Sequence, residues 1–358
     1  MTYAIIGCGR ISHNHILAAL ENNLEIVALC NNKIQKAEDL KLKYGLNAKV
    51  YKDYKDMLKA QKPDIVTIAT PSGAHAIIAL DLINAGCNVL IEKPISLSIK
   101  DADEIIKASE SNNIKVGVCH QNRFNLTVQK LRAAIEQGRF GRIFHITANV
   151  RWYRDKDYYK QANWRGTLEN DGGCLMNQCI HNIDLLCWTM GCNVEQVFSY
   201  RANFLHPYIE AEDTGIAVVK FVNGALGVIE GTVNTYPKNL EETLCVFGER
   251  GTVKLGGTSL NNIDQWIFDD GIDTLSEVQK ETNENPPNIY GFGHVRLYAD
   301  FINAIKKDNE PYITAKDGKK AVELILAMYK SSYINEPVNF PLVNCSTLDF
   351  IDQKLHSN

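Results

Sequence analysis

Tyr3-Ala4-Ile5-Ile6-Gly7-Cys8-Gly9-Arg10-Ile11-Ser12 decides the fold: a short strand-like run enters a G-x-G-x-x-S turn, and a helical pattern starts directly behind it. Gly7 and Gly9 permit a tight turn and close main-chain approach to a pyrophosphate. The helix that follows offers free amide groups and its positive dipole end to the same anion. Ser12 stands where a third glycine is usual, and is small enough for helix to lie against strand. A glycine pattern alone is weak, but the strand-turn-helix context is the confirming part of this motif.

Working outward, residues 1–121 alternate short apolar runs with helical patterns. Strands are expected at Tyr3–Ile6, Glu25–Cys30, Asp64–Ala69, Asn88–Ile91 and Lys115–Cys119, with helices between them, and this order predicts a doubly wound α/β Rossmann domain with a parallel sheet. After a helix near 126–137 the pattern changes to long strands of period two, beginning with Arg142–Arg154. Asn223-Gly224 between two such runs signals a tight hairpin, and a second is expected around Gly248–Gly251. One helix is expected from about Cys174 to Met190, and two more, Gly293–Lys306 and Ala315–Ile334, close the domain. Residues 122–342 therefore read as an α+β substrate-binding and oligomerisation domain on a large, mainly antiparallel open sheet. Asp269–Asn288 reads as a loop, and 343–358 as a peripheral tail.

At 358 residues the chain suffices for two hydrophobic cores. The net charge is −4 with no basic block, which gives nucleic acid or a membrane surface no footing. The N-terminus lacks a basic n-region, no run reaches the roughly 18 apolar residues of a membrane span, and a cytoplasmic protein is expected. Ten cysteines are scattered as reduced thiols are. Cys174, Cys179, His181, Cys187 and Cys192 fall close together, but none has metal-knuckle spacing. They read as small hydrophobes in a helix interface, and no metal is expected.

Glu92-Lys93-Pro94 ends the fourth strand-like run, at the carboxyl edge where ligands bind in open α/β sheets. Lys93 is thereby placed to touch both a nicotinamide and a substrate hydroxyl. At the end of the second strand the usual ribose-binding acid is replaced by Asn31, which can bond hydroxyls but does not repel a 2′-phosphate, so NAD is preferred and NADP is not excluded. Thr70-Pro71-Ser72-Gly73-Ala74-His75 ends the third run and sets His75 over the ribose region. In the second domain Asn177 and His181 stand four apart with Asp184 three further on, so on one helix they share a face. An imidazole oriented by polar neighbours is a general base suited to neutral pH; the alternative is a satisfied buried histidine.

At these residues the chain resembles the glucose-fructose oxidoreductase and inositol dehydrogenase (Gfo/Idh/MocA) family over nearly all of 1–342. The family pattern is the glycine-rich turn, E-K-P, and a helix bearing a histidine preceded four residues earlier by an acid; here the neutral Asn177 replaces that acid. Further strings, among them Gln121-Asn122-Arg123, Trp164-Arg165-Gly166-Thr167, Glu212-Asp213-Thr214-Gly215, Thr235-Tyr236-Pro237-Lys238-Asn239 and Tyr290-Gly291-Phe292-Gly293-His294, resemble the subgroup of WlbA-type UDP-N-acetylglucosaminuronate 3-dehydrogenases of bacterial surface-polysaccharide pathways. The resemblance implies an NAD-dependent sugar dehydrogenase that oxidises the 3-hydroxyl of a UDP-N-acetyl-hexosaminuronate and assembles as a dimer of dimers. It implies Lys93 and His181 as catalytic residues. Gly7, Gly9, Arg10, Ile11, Asn31, Thr70, Pro71, His75, Glu92, Lys93, Gln121, Trp164 and Arg165 would hold the cofactor. Lys93, Arg123, Asn177, His181, Tyr236, Lys238, Tyr290 and His294 would meet the UDP-sugar. A free sugar or inositol as substrate, or a dinucleotide sensor without turnover, are the competing readings.

Overall fold

The apolar runs of the N-terminal third form one parallel sheet. Strands β1 (Thr2–Ile6), β2 (Glu25–Cys30), β3 (Lys49–Tyr51), β4 (Ile65–Ile68), β5 (Asn88–Ile91) and β6 (Val116–Val118) lie in the order β3-β2-β1-β4-β5-β6. Strand order reverses between β1 and β4, the switch point of a Rossmann sheet. All four residues of β4 are inaccessible, because helices cover a parallel sheet on both faces. Strand β3 and the helix Tyr54–Ala60 are additions to the expected order; three residues with an exposed Lys49 carry no readable period.

In this computed structural model residues 1–282, 293–353 and 355 are described. They fall into two compact units. The first comprises Met1–Ser96, Lys100–His120 and His294–Lys319; the second Leu97–Ile99, Gln121–Gly293 and Lys320–Asn358. The segment His294–Lys319, which the sequence order places in the second domain, thus returns to the first. Its helix, Gly293–Lys307, buries Leu297, Tyr298 and Phe301. A Cβ on Gly117 of β6 would stand 3.0 Å from the Phe301 ring, so that glycine makes the contact possible.

The second unit holds an eight-stranded sheet: β7 (Ile143–Arg151), β8 (Val194–Ala202), β9 (Thr214–Phe221), β10 (Leu226–Thr232), β11 (Glu241–Gly248), β12 (Gly251–Gly256), β13 (Asn262–Phe268) and β14 (Val338–Asn339), in the order β13-β12-β11-β7-β10-β9-β8-β14. All neighbours are antiparallel except β10 and β7. Both hairpins form where expected, with Gly224 at φ +82° in the first. On β9 the alternation is sharp: Gly215, Ala217, Val219 and Phe221 are buried, whereas Ile216 and Val218 are 51% and 55% exposed.

Three expectations for this unit are corrected. The helix expected over 174–190 is two, Cys174–Asn177 and Ile180–Thr189. The expected loop contains the helix Leu275–Thr282, whose start was legible in Thr274-Leu275-Ser276-Glu277: the Glu277 carboxylate accepts the Thr274 N–H at 2.8 Å and its N–H donates to the Thr274 hydroxyl. The tail is not peripheral, for Cys345, Phe350 and Leu355 are buried and the Ile99 and Asn203 amides donate to its carbonyls. Among the described residues no helix is long and apolar enough to cross a membrane.

The two glycines of the N-terminal turn differ in kind. Gly7 has φ +102°, and a Cβ there would lie 2.3 Å from the Ala69 carbonyl oxygen; Gly9 has nothing within 4 Å of its absent Cβ. Gly7→Ala is therefore expected to destabilise the protein by roughly 1–3 kcal/mol or more, whereas Gly9→Ala leaves the melting temperature unchanged and weakens NAD binding. Thermal unfolding and a nicotinamide titration check both; wild-type NAD affinity in Gly9→Ala would mean that the space beside Gly9 is not the pyrophosphate cradle.

Candidate active site

In the first unit the strand ends converge on the N-terminal turn. The helix Ser12–Glu21 has no side-chain cap at Ile11, and Ser12 is tied down by its hydroxyl to the Gly9 carbonyl at 2.5 Å. An uncapped helix start beside the open space at Gly9 fits a pyrophosphate. Arg10 is exposed, and Ile11, Thr70 and Pro71 are half-buried around the same strand ends. Asn31 is less free than the sequence suggests: Oδ1 accepts the Cys8 N–H at 3.0 Å and Nδ2 donates to the Lys33 carbonyl at 2.9 Å. It braces the glycine-rich turn against β2. His75 is also spent locally. It is buried, with Nδ1 2.7 Å from the Pro94 carbonyl and Nε2 3.0 Å from that of Thr70, so it ties the end of β4 to the turn after Lys93.

Glu92 is the centre of a buried polar cluster that the sequence did not announce. Its Oε1 lies 2.9 Å from His15 Nε2 and 3.6 Å from His294 Nε2, and its Oε2 accepts the Lys93 main-chain N–H at 3.2 Å. His15 Nδ1 is 2.9 Å from the Tyr298 hydroxyl, which is 2.8 Å from both Tyr3 Oη and Thr67 Oγ1. Burial works to raise the Glu92 carboxyl, but the hydrogen bonds from His15 and His294 outweigh it and hold it well below the usual range. Glu92 is thus an anion that anchors the main chain at Lys93. Cys119 brings its sulfur into the same cluster, the one group of three metal-type side chains among the described residues, with ligand atoms within 4.8 Å of one another. Burial, reinforced by Glu92, raises that thiol well above its ordinary value. His294, expected at the substrate, is 3% exposed and belongs to this cluster.

In the second unit His181 opens the helix Ile180–Thr189 and is 8% exposed, with Gln121 Nε2 at 3.4 Å from its Nε2. The glycines of the sheet explain how this segment sits. Gly215 and Gly231 face each other on β9 and β10; a Cβ on the first would strike Leu175, and one on the second Cys179 Sγ at 2.6 Å. The break between the two short helices lies in this depression. It removes the shared helix face on which the pairing of Asn177 with His181 was based. The Asn177 amide instead donates to Asp171 Oδ1, and Asp171 Oδ2 accepts the Gly166 N–H at 2.6 Å. Asp171 was overlooked in the sequence, although the Asp171-Gly172-Gly173 turn marks the loop.

The Asp184 carboxylate oxygens receive Arg123 at 2.8 and 2.7 Å in a bidentate, buried pair. Arg123, expected to meet a substrate anion, is occupied by that pair. Arg154 and Arg165 differ: neither makes an ion pair with a carboxylate among the described residues. Arg154 bonds Gln178 Oε1 at 2.8 Å and Asn239 Oδ1 at 3.0 Å and lies over the Trp152 and Tyr158 rings. Arg165 donates to the Tyr158 hydroxyl, lies over the Tyr158 and Trp164 rings, and keeps a buried Nε–H without an acceptor. Arg154 stands in the sequence only as the end of a strand-like run; its neighbours alone reveal an uncompensated charge. Tyr236 is 86% exposed and Lys238 is exposed, while Tyr290 lies outside the described residues. Of the cysteines near His181, Cys174 and Cys179 approach each other, with sulfurs 3.7 Å apart.

Comparison with known proteins shows the family. The NAD-binding Rossmann fold of the Gfo/Idh/MocA oxidoreductase family matches residues 1–120, and that family's C-terminal alpha/beta domain matches 132–340. The WlbA dehydrogenase of Bordetella pertussis, solved with NADH and UDP-GlcNAcA, is 38% identical with a TM-score of 0.89, covering 96% of this chain and 98% of its own. A WlbA enzyme of Chromobacterium violaceum, solved with the same two ligands, is 37% identical with a TM-score of 0.88, at 96% of each chain. D-glucoside 3-dehydrogenase of Escherichia coli is 31% identical over 351 residues, 92% of this chain and 94% of that protein. From the glycine-rich turn to the last strands of its open sheet, the chain belongs to the Gfo/Idh/MocA oxidoreductase family and is an NAD-dependent enzyme.

Proposed function

We propose that the enzyme oxidises the 3-hydroxyl of a UDP-N-acetyl-hexosaminuronate to the ketone, for bacterial surface-polysaccharide synthesis. The observation that carries this reading is the likeness, at 38% and 37% identity over 96% of the chain, to two dehydrogenases solved with NADH and UDP-GlcNAcA. NAD supplies the hydride acceptor when bound. His181 takes the hydroxyl proton, and Lys93, its main chain anchored by Glu92, stabilises the alkoxide charge as it develops. Arg165 and Arg154 carry the positive charge that a uronate and a diphosphate require, a part the family resemblance assigned to Arg123. Asn177, held by Asp171, meets the sugar, and Tyr236 and Lys238 are exposed for the nucleotide. The second reading, a free sugar or inositol, is favoured by the D-glucoside 3-dehydrogenase and by myo-inositol 2-dehydrogenase of Thermotoga maritima, 26% identical over 92% of this chain and 96% of that protein.

A panel of UDP-uronates, neutral UDP-sugars and free polyols, followed by nicotinamide absorbance with and without a keto-acid acceptor, separates the two. Turnover is expected with UDP-N-acetyl-hexosaminuronate above all others, and preference for a free polyol overturns the reading. His181→Asn and Lys93→Met are each expected to lower kcat by about 10²- to 10⁴-fold, far more than either weakens NAD binding. A variant that keeps wild-type kcat would remove its residue from the mechanism.

A second copy of the chain is proposed to cover the outer face of the eight-stranded sheet. Phe198 pairs with Val218, Val218 with Val228 and Tyr200 with Ile216 across that face, where Tyr200 is 62% exposed. An apolar stripe of this kind on an antiparallel sheet marks an association surface. Sedimentation at micromolar concentration is expected to show a dimer or larger assembly, and Val218→Asp a folded, smaller species; a monomeric wild type rules the arrangement out.

A further inference from the structure

Asn182 directly follows His181, and its side chain clamps the helix to the sheet. Nδ2 donates to the Asn149 carbonyl of β7 and the Thr243 carbonyl of β11, both at 3.0 Å. Two carbonyl partners fix the amide orientation, because the flipped amide would set an oxygen against both. Oδ1 is therefore an acceptor, and it is buried without a donor. Glu242 immediately precedes Thr243, and its Oε2 is likewise buried without a partner. The register sets Thr243 opposite Asn149 and Glu242 opposite Val150, so the Asn182 amide spans the rung next to that of Glu242. Alternation along β11 puts Glu242 on the same face as Leu244 and Val246, both fully buried. Two acceptors repel each other, and each left unmatched is costly. A proton on the carboxyl turns one of them into a donor and satisfies both.

We infer that Glu242 is a neutral carboxylic acid in the folded protein, that it donates its proton to Asn182 Oδ1, and that it thereby acts as a positioning residue for the helix carrying His181. The surroundings agree. On β7 the neighbours on its face are Ala148 and Val150, with Trp152 and its buried, unpartnered Nε1–H one residue beyond the strand, and on β12 Leu255 shares the buried side while the Gly257 carbonyl takes the Glu242 N–H. His181 is the titratable side chain beside Asn182, and Asp184 is paired with Arg123. Arg151, Glu230, Glu241, Lys254 and Asp264 engage one another in pairs of the outer face. Burial alone pushes the carboxyl up, to about 8 from 4.5. With the folded value raised, the stability this group contributes is complete below 4.5, declines as pH rises, and is lost as pH passes about 8.

The test needs no substrate for its first half. Infrared difference spectra of wild type against Glu242→Gln are expected to show a protonated carboxylic C=O band at neutral pH that titrates away near pH 8 and moves to higher frequency in Asn182→Ala. Glu242→Gln keeps a donor and carries no charge, so its melting temperature is expected to gain on wild type as pH rises towards 8. Absence of the band overturns the inference, as does a band indifferent to Asn182→Ala. The catalytic half rests on His181 being the base. Glu242→Leu is expected to lower kcat roughly tenfold at unchanged KM, and Glu242→Gln to restore it while abolishing the fall of kcat above about pH 8 that is expected of wild type. Equal losses in both variants overturn the positioning role. Failure of the substrate assignment would leave the infrared and unfolding results intact, so the two readings fail separately.

Discussion

The close approach of the segment Gly172–His181 to its sheet is the constraint on which the second unit depends. Paired glycines, Gly215 and Gly231, empty the inner face where Leu175 and Cys179 descend. From beneath, Glu212 accepts the Leu175 N–H at 2.9 Å and the Tyr329 hydroxyl at 2.8 Å, and meets Arg201 at 3.2 Å. Burial raises the Glu212 carboxyl, an effect that Arg201 opposes. Gly173, at φ +97°, leaves the room that Glu212 fills. A buried charge with its partners in place is a rigid support, since removing one partner strands the other. This is why the helix break, and with it the position of His181, is a property of the sheet rather than of the helix sequence.

The first unit uses the same device at Lys93. A carboxylate between two imidazoles, extended through Tyr298 to Tyr3 and Thr67, fixes the main chain one residue before the lysine. His15, Glu92, Tyr298, Tyr3 and Thr67 are each satisfied by another member, which is the condition under which a buried polar network rigidifies instead of destabilising. The helix Gly293–Lys307 supplies His294 and Tyr298 to that network. Its return to the Rossmann unit is therefore both a packing requirement and a contribution to the nucleotide end.

Charge is distributed with a similar economy. Arg123 and Asp184 neutralise each other in the interior, so neither is available to a ligand, whereas Arg154 and Arg165 stack on aromatic rings and bond only neutral groups. A guanidinium held by rings and amides is preorganised without being neutralised. Arg154 and Arg165 are thus cations whose surroundings leave their charge standing.

Local pattern was enough to read the doubly wound domain, the hairpin at Asn223-Gly224, the second at Gly248–Gly251, and the glycine-rich turn, because periodicity and turn chemistry act between residues a few positions apart. The helix at 275 was legible too, in a capping box that was passed over. Tertiary structure alone decided which polar groups meet. His15 finds Glu92 across 77 positions and Arg123 finds Asp184 across 61. Asn177 turns from His181 to Asp171 because glycines on two strands let the chain bend there. Spacing along a helix predicts neighbours only while the helix continues, and whether it continues is settled by what lies beneath it.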